Sequence, residues 1–405
     1  MNRDFRLLWI GQGLSGLGAE VSSVAYPLLV LATTGSPSRA GLVALVANAP
    51  FVVLQLPAGA YVDRWNRRAV MLAADIGRAL ALGSIAVALA LGRLTFAHLL
   101  IVAAVEGSLF VLFRLAEGAA LRQVVPASRL PSAIALNQAR GYGATLAGQP
   151  VGGWLFGVAP LFPFAADAVS YLASLVTVAA IRTPLPAPPP TAERHLAREI
   201  AEGVRAAWQN RFLRTTALLT TGSDFVINGL FLVFVVIATR HGASSTGVGL
   251  MLALGGAGGM LGAVAAPALA RRIRSARSVR LVVAGSVWSG VPLIALASLT
   301  SQPVRLGLLL GLVLAVWPLY NAVVTARWMT RFPDALMGRV QSAVALLGWA
   351  PVPLAPWVGG LLTEHLGGAR TVLAFAVLML AIAVTATVVR HDDPVDRRTV
   401  EPASR

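Results

Sequence analysis

The 405-residue chain contains no cysteine, no lysine and few charged residues of any kind. Without cysteine it cannot form disulfides, thiolate metal sites or thiol nucleophiles. Without lysine it cannot form a phosphate-binding loop of the Gly-x-x-x-x-Gly-Lys type. Charged residues make up 12% and apolar residues 57%, against about 25% and about 45–50% in a typical soluble protein. Such a chain cannot cover its own surface in water, so we expect most of that surface to face lipid.

Long apolar segments dominate the sequence. A helix needs roughly 20 mostly apolar residues to cross the hydrocarbon core of a bilayer, and twelve segments meet that requirement. They are Leu7–Ala32, Ala40–Val62, Ala69–Leu91, Ala97–Leu121, Ile134–Pro160, Leu161–Ile181, Thr215–Thr239, Gly247–Ala270, Leu281–Leu299, Leu306–Ala326, Val340–Thr363 and Thr371–Val389. The sequence therefore predicts an all-α polytopic membrane protein with twelve transmembrane helices.

The arginines are distributed unevenly over the connections between these segments. With the N-terminus in the cytoplasm, 25 of the 33 arginines fall on the cytoplasmic side, 5 on the opposite side and 3 inside spans. Cytoplasmic loops of membrane proteins carry just such an excess. We therefore predict a multi-pass protein of the cell membrane with both termini in the cytoplasm. The net charge of +16 then needs no nucleic-acid partner to account for it.

The chain divides into two similar parts. An offset of 207 residues, without gaps, places Phe5 on Phe212, Arg64 on Arg271 and Gly152-Gly153 on Gly359-Gly360. This pattern is typical of duplicated six-helix units, in which a transport site lies between the repeats. We predict a six-helix bundle over 1–182, a cytoplasmic linker with an amphipathic helix over 183–214, a second bundle over 215–390 and a tail over 391–405.

Ionisable residues inside spans are costly and therefore indicate function, and nearly all of them lie in the first half. The candidates for proton coupling or substrate contact are Glu20, Glu106, Arg114, Glu117 and Asp224. For Glu20 two interpretations stay open: a proton carrier or cation-recognition group, or a protonated acid hydrogen-bonded to a neighbouring helix. Tyr26, Phe110, Trp317 and Tyr320 are candidate aromatic residues of a cavity wall, although aromatic side chains in helix bundles also serve packing.

Depth along the helices predicts two pairs between helices, and sequence spacing predicts a third pair within one helix. At 1.5 Å per residue, Glu20 and Arg114 lie roughly 20 and 17 Å from the cytoplasmic ends of their spans, so they can form a pair. Glu117 and Arg140 both lie about 12 Å from that side and can form a second pair. Asp75 and Arg78, three residues apart, favour a local pair on one helix.

Three motifs resemble those of the major facilitator superfamily. The connection after the second span reads Gly59-Ala-Tyr-Val-Asp63-Arg64-Trp-Asn66-Arg67-Arg68 and resembles the family signature between helices 2 and 3, with Asn66 where the family has glycine. Arg114-Leu-Ala-Glu117-Gly118 resembles its second signature. Gly148-Gln149-Pro150-Val-Gly152-Gly153 is similar to the exporters' glycine-rich motif, with the proline one residue late. The opening Phe5-Arg-Leu-Leu-Trp resembles the enterobactin-exporter and macrolide-efflux branch.

The resemblance implies a fold and a mechanism. It implies two six-helix bundles that rock about a central cavity, opening it first to one side and then to the other. It also implies a cytoplasmic latch formed by Asp63, Arg64, Arg67 and Arg68, which holds one state closed. The arginine of the second signature, here Arg114, is associated in that family with proton coupling.

These observations predict a secondary transporter rather than an enzyme. The predicted activity is proton-coupled export of a small amphipathic molecule, such as a drug, siderophore or secondary metabolite. The alternative on the same scaffold is a uniporter or importer without proton coupling, or a lipid flippase. We expect protons, the substrate and the bilayer as partners, no cofactor and no metal, and a functional monomer. A receptor without transport activity is disfavoured, because the chain offers no large soluble recognition domain.

Overall fold

Twelve α-helices form the part of the chain that the computed structural model describes, namely residues 2–62, 64–185, 205, 208, 211–273, 275–329 and 348–388. In chain order, the helices are α1 (Arg3–Thr34), α2 (Pro37–Val62), α3 (Arg67–Ala90), α4 (Phe96–Val124), α5 (Leu130–Val158), α6 (Phe162–Ala179), α7 (Arg211–Arg240), α8 (Ser245–Ala270), α9 (Ala276–Ala297), α10 (Pro303–Met329), α11 (Leu354–Leu366) and α12 (Gly368–Val388). One 3-10 turn, Ala127–Arg129, precedes α5.

Short polar caps set the helix boundaries. The Asn2 side chain accepts a hydrogen bond from the Phe5 backbone N–H at 2.9 Å, and α1 ends at Gly35, whose positive φ of 66° suits glycine. Ser244 caps α8 in the same way. Several helices begin before their predicted spans, as α1 does at Arg3 rather than at Leu7. Helix α6 is instead shorter than its predicted span, Leu161–Ile181.

Ten of the twelve helices are long and apolar enough to cross a membrane. The other two are α5 and the described portion of α11, which is 13 residues long. Helix α5 contains 29 residues but includes Asn137, Gln138, Arg140 and Gln149. It packs against α1 in the first half and α8 in the second, and Gln149 is buried in these contacts. The protein is a multi-pass membrane protein.

The described helices repeat at the spacing seen in the sequence. Adding 207 to the bounds of α1 gives 210–241, and α7 spans Arg211–Arg240. The same shift takes α2 to 244–269, against Ser245–Ala270 for α8, and takes α4 to 303–331, against Pro303–Met329 for α10. The amphipathic helix predicted within the linker and the tail at 391–405 lie outside the described residues, since only Arg205 and Trp208 are described between 186 and 210.

Most helix contacts fall within each set of six. In the first set, α1 packs on α5 and α6, and α3 packs on α4 and α6; in the second, α8 packs on α10, and α12 on α7 and α9. Two pairs make the most extensive contacts between the sets, α2 with α11 and α5 with α8, and α1 and α2 also contact α7. Asp4 near the start of α1 accepts hydrogen bonds from the backbone of Arg182 and Thr183 after α6. We call the side holding these residues the linker side, and the side where α1 ends the far side.

Candidate substrate cavity and the charges around it

A cavity of about 370 Å³ lies between the two sets of helices. This volume is within the range of ligand pockets, about 300–1,000 Å³. Helices of both sets form its wall, which is apolar apart from a few polar side chains. The polar lining residues are Ser22, Ser23, Tyr26, Asn48, Glu106, Gln149 and Asn228, and the apolar ones include Val43, Phe231, Leu232, Val235 and Leu252. An apolar wall with few polar groups suits a small amphipathic ligand.

Glu106 on α4 brings a carboxylate to this wall. Its Oε1 atom lies 3.4 Å from Arg78 Nη2, and the hydroxyls of Tyr171 and Tyr26 donate to its two oxygens at 3.4 and 3.5 Å. Arg78 is only 3% exposed, and its guanidinium also contacts the Tyr171 hydroxyl. We predicted that Arg78 pairs with Asp75 on the same helix. Its main contacts are instead Glu106 on α4 and Tyr171 on α6, so that prediction is wrong.

Glu20 on α1 faces α5. Its two oxygens accept hydrogen bonds from the Thr145 hydroxyl at 2.9 Å and the Gln149 amide at 3.1 Å. The predicted pair with Arg114 is not formed, because equal depth does not place two side chains on facing sides of their helices. Since Gln149 lines the cavity, Glu20 is one hydrogen bond behind the cavity wall.

The glycine-rich motif of α5 permits this approach. A Cβ atom at Gly148 would overlap the Cβ of Glu20, and one at Gly152 would overlap the carbonyl oxygen of Val21. Gly153 faces the other way, toward α8. Pro150 lies inside the helix. The motif therefore provides close packing of α5 on both α1 and α8.

Arg114 lies in a second cavity of about 350 Å³ between α2 and α4, nearer the linker side, where Gln55 and Arg122 also line the wall. The side chain is exposed, and its guanidinium lies over the Phe51 ring, 5.6 Å from the centroid. Glu117, one turn along α4, forms an ion pair with Arg140 of α5 at 3.4 Å. The second predicted pair is therefore present.

The candidate residues of the second half lie largely in its core. Asp224 on α7 interacts with Trp317, and its backbone carbonyl accepts from the Asn228 amide at 2.8 Å. Trp317 stacks on Tyr320 with centroids 4.8 Å apart. Tyr320 is 0% exposed, and its hydroxyl bonds to Thr220 at 3.0 Å. In this conformation Tyr320 is a packing residue rather than the cavity aromatic we predicted.

The two aromatic candidates of the first half, Tyr26 and Phe110, also differ in whether they line the cavity. Tyr26 lines the cavity between the halves. Phe110 is 39% exposed, and Arg78 lies over its ring, 5.4 Å from the centroid. Phe110 therefore contacts the charge network rather than the described lining of that cavity.

The predicted latch residues surround the turn between α2 and α3. Gly59 lies in the last turn of α2, Arg64 is exposed, and Asp63 lies outside the described residues. Arg67 is buried, and its backbone N–H donates to the Leu185 carbonyl at 3.2 Å; Arg68 donates to the Ala179 carbonyl. Asn66 stands where the family signature has glycine, and it caps α3. Its side chain accepts hydrogen bonds from the backbone N–H groups of Arg68 and Ala69. These contacts stay within the first set of helices, and the latch function stays a prediction.

On the far side the two sets of helices meet closely. A Cβ at Gly360 of α11 would overlap the carbonyl oxygen of Pro37 in α2, and one at Gly153 of α5 would overlap that of Ser245 in α8. On the linker side, by contrast, no described atom lies within 4 Å of where a Cβ would sit at Gly118, Gly141 or Gly143. The cavity is thus closed by backbone contacts at its far end.

One residue at this closure was not anticipated from the sequence. Glu364 at the end of α11 accepts hydrogen bonds from the Ser36 hydroxyl at 2.9 Å and the Ser38 backbone N–H at 3.1 Å. Hydrogen bonds from Ser38 and Ser36 hold the pKa of Glu364 below its ordinary value of 4.5. A signal existed, since Glu364 is an acid directly after an apolar span, but its partners lie in another helix connection.

Twelve helices in two repeats around a closed-ended cavity define a membrane transporter rather than an enzyme. Residues 8–353 match the model of the Major Facilitator Superfamily, so the chain belongs to that family. It is 29% identical over 390 residues to the multidrug efflux pump Tap of Mycobacterium tuberculosis, covering 92% of this chain and 90% of that protein. It is 22% identical to macrolide efflux protein A of Streptococcus pyogenes, over 96% of both chains.

The architecture also matches solved transporters. The nucleoside transporter NupG superposes with a TM-score of 0.75 at 12% identity, over 97% of this chain and 100% of NupG. A bacterial homologue of ferroportin in its inward-facing state gives a TM-score of 0.72 at 17% identity, over 95% of this chain and 98% of that one. At such identities the similarity concerns the fold.

Proposed function

We propose that the protein exports a small amphipathic molecule against an inward flow of protons, by alternating access of the cavity between its halves. The observation that carries this proposal is the cavity itself, which is apolar, contains a carboxylate and is closed on the far side. The arginine distribution assigns the linker side to the cytoplasm. The cavity of this conformation is then ready to accept substrate from the inside. The efflux activities named for two similar proteins support the direction.

The proposed proton carrier is Glu20. Charge-assisted hydrogen bonds are roughly twice as strong as neutral ones, so the ionised form of Glu20 holds Thr145 and Gln149 of α5 more firmly than the protonated form. Proton binding would loosen the contact of α1 with α5 beside the cavity. Coupling requires that substrate and proton favour different states. Loss of substrate on the outside and uptake of a proton there would meet that requirement.

Substrate contact is assigned to the cavity wall. Glu106, Tyr26 and Gln149 contribute the polar groups from the first half, and Asn228 and Phe231 contribute from the second. Arg114 and Glu117 lie on α4 toward the linker side, where they can act on entry rather than on the bound molecule. Asp224 lies one turn from Asn228, so it can affect the wall through α7. We expect a monomer to suffice, since one chain supplies both halves.

The test is transport by purified protein in liposomes with an imposed pH gradient, using ethidium and erythromycin as probes. We expect probe movement driven by the gradient in the wild type, strongly reduced in Glu20→Gln and largely retained in Glu20→Asp. Movement that ignores the gradient would instead support the uniporter, importer or flippase alternative. Normal gradient-driven rates in Glu20→Gln would remove Glu20 from the mechanism while leaving the function in place.

A further inference from the structure

Behind the cavity wall, the first half holds more buried acid than base. Asp75 on α3 and Asp167 on α6 are both 0% exposed, and both lie near Arg78, as does Glu106 on α4. The one basic side chain among them is Arg78, which is paired with Glu106 at 3.4 Å. Three carboxyl groups thus share one guanidinium in the protein interior.

The hydrogen bonds of this cluster are unevenly distributed. Asp167 accepts from the Ser22 hydroxyl at 2.5 Å and the Ser170 hydroxyl at 3.1 Å. Neither oxygen of Asp75 makes a close hydrogen bond in the described part of the chain, and neither does Arg78 Nε. The Ser174 hydroxyl and the Arg78 guanidinium are near enough to stabilise a negative charge on Asp75, but Arg78 is already paired with Glu106. A buried carboxylate so weakly compensated is disfavoured, and such a group becomes neutral instead. The oxygens of Asp75 therefore point to a bound proton.

We propose that Asp167 and Asp75 form a proton-binding site in the wall of the first half, each carrying a proton in this conformation while Glu106 is the ion-pair partner of Arg78. This site is distinct from Glu20, which faces α5 and bonds to Thr145 and Gln149. Its use in transport rests on the proton-coupled export proposed above, whereas the presence of the protons does not.

A hydroxyl connects the site to the cavity. Ser22 lines the cavity and donates to Asp167. For release, the Ser22 hydroxyl first turns its hydrogen toward a water molecule in the cavity, so that its oxygen accepts from the O–H group of protonated Asp167. The O–H bond of Asp167 then breaks as its proton passes to the Ser22 oxygen, and Ser22 gives its own proton to the water, which leaves as hydronium. Asp167 is left as a carboxylate near Arg78. The reverse sequence reloads it.

The groups that face the site determine what drives this exchange. Tyr26 and Ser22 face it from α1, Arg78 from α3, Glu106 from α4 and Tyr171 from α6. Glu117 is a further negative charge in range of Asp75. A positive charge bound beside Glu106 adds to that of Arg78 and favours carboxylates over carboxylic acids nearby. The site therefore favours cationic amphipathic molecules as substrates, and their binding releases the protons held by Asp167 and Asp75.

The first experiment is infrared spectroscopy of the purified, lipid-reconstituted protein at neutral pH, reading the C=O band of protonated carboxylic acids. We expect the wild type to show this band, and Asp167→Asn and Asp75→Asn each to remove part of it. Glu364→Gln is the matched control and should remove none, because hydrogen bonds from Ser38 and Ser36 hold the pKa of Glu364 below its ordinary value and Glu364 lies on the far side, away from Arg78. A wild type without the band, or a band lost only in Glu364→Gln or Glu20→Gln, would overturn the proposal.

Access is tested by exchange into deuterated buffer, which shifts the same band. Ser22→Ala should slow the shift of the Asp167 component, and an unchanged rate would exclude the Ser22 path. Proton release on adding ethidium in weak buffer, followed with a pH-sensitive dye, then tests the link to transport. Release should fall in Asp167→Asn. A band without any release in the wild type would leave the site standing and remove its coupling.

Discussion

The two helix crossings that close the far side are related by the repeat but differ in chemistry. Gly360 meets the start of α2 and Gly153 meets the start of α8, positions that correspond at the 207-residue offset. Gly41 against Pro356 and Gly249 against Gln149 complete the two crossings. At the α2–α11 crossing Glu364 caps α2, whereas the equivalent position at the α5–α8 crossing is Gly157, next to the Ser245 hydroxyl. The α5–α8 crossing is therefore held without a charged side chain, whereas the α2–α11 crossing also has the Glu364 carboxylate.

The largest effect is expected from filling the backbone contacts. Gly360→Leu or Gly153→Leu places a side chain where backbone atoms meet, and overpacking of this kind costs about 1–3 kcal/mol. The closed form should then lose about 5- to 150-fold in population. Since the native chain has no cysteine, spin labels on introduced cysteines at Arg39 and Leu366 report the far-side distance without background.

Gly83→Leu is the matched control for these variants, because no described atom outside the adjoining turns of its own helix lies within 4 Å of its added Cβ. It should leave the label distance unchanged. An unchanged distance in Gly360→Leu and in Gly153→Leu as well would show that the crossings do not hold the closure.

A smaller effect is expected from Glu364→Gln. A carboxylate at an exposed helix N-terminus contributes about 0.3–1 kcal/mol, so the closed population should fall by about two- to five-fold. The label pair at Arg39 and Leu366 should widen, while a pair at Val158 and His241 beside the other crossing should follow only if the halves move as units. A widening confined to the first pair would contradict rigid-body motion.

The same residue predicts a pH dependence of the closure. The pKa of Glu364 is lowered in the closed form by its hydrogen bonds with Ser38 and Ser36. Its contribution is therefore fully present above the ordinary value of 4.5 and is lost as the pH falls through the lowered pKa. Acid on the far side should widen the label distance in the wild type and not in Glu364→Gln. Equal responses in both proteins would assign the effect to another group.

The smallest and most specific effect concerns Gly157→Glu. The new carboxylate would lie near the hydroxyls of Ser245 and Thr246, flexible side chains that can move aside. It should restore part of the closure lost in Glu364→Gln, because it repeats the same cap at the related crossing. Labels at Arg39 and Leu366 in the double variant measure this. A double variant as open as Glu364→Gln alone would mean that the crossings cannot substitute for each other.

Sequence reasoning succeeded where one physical rule dominates. Apolar length predicted the helical membrane fold, and the 207-residue offset reappears in the bounds of α1 and α7. Depth correctly paired Glu117 with Arg140 but failed for Glu20 and Arg114. Depth fixes only the position along a helix, and the rotation about its axis is set by contacts such as Gly148 against Glu20. Tyr171, four residues after Asp167, could have been found from that spacing on α6.

Contacts between the repeats were beyond sequence reasoning. Glu364 bonds to Ser36, 328 positions away, and no local pattern predicts that distance. The buried cluster around Arg78 contains residues of four helices. Only the folded chain shows that Arg78 forms its ion pair with Glu106 rather than with Asp75. Sequence spacing predicts which residues of one helix lie close together, whereas contacts between different helices depend on how the helices pack.

The close approach at the far-side crossings is made by main chain, with Glu364 as an added side-chain contact at one of them, and this frees much of the cavity wall to vary. Carbonyl oxygens and glycine hydrogens form most of the seal, so it depends little on the side chains that line the cavity. Mutations that reshape Phe231, Leu252 or Asn48 can therefore alter what is carried without impairing how the molecule shuts. A transporter built on this scaffold can change its substrates by small steps, each of which leaves the backbone contacts between the halves intact.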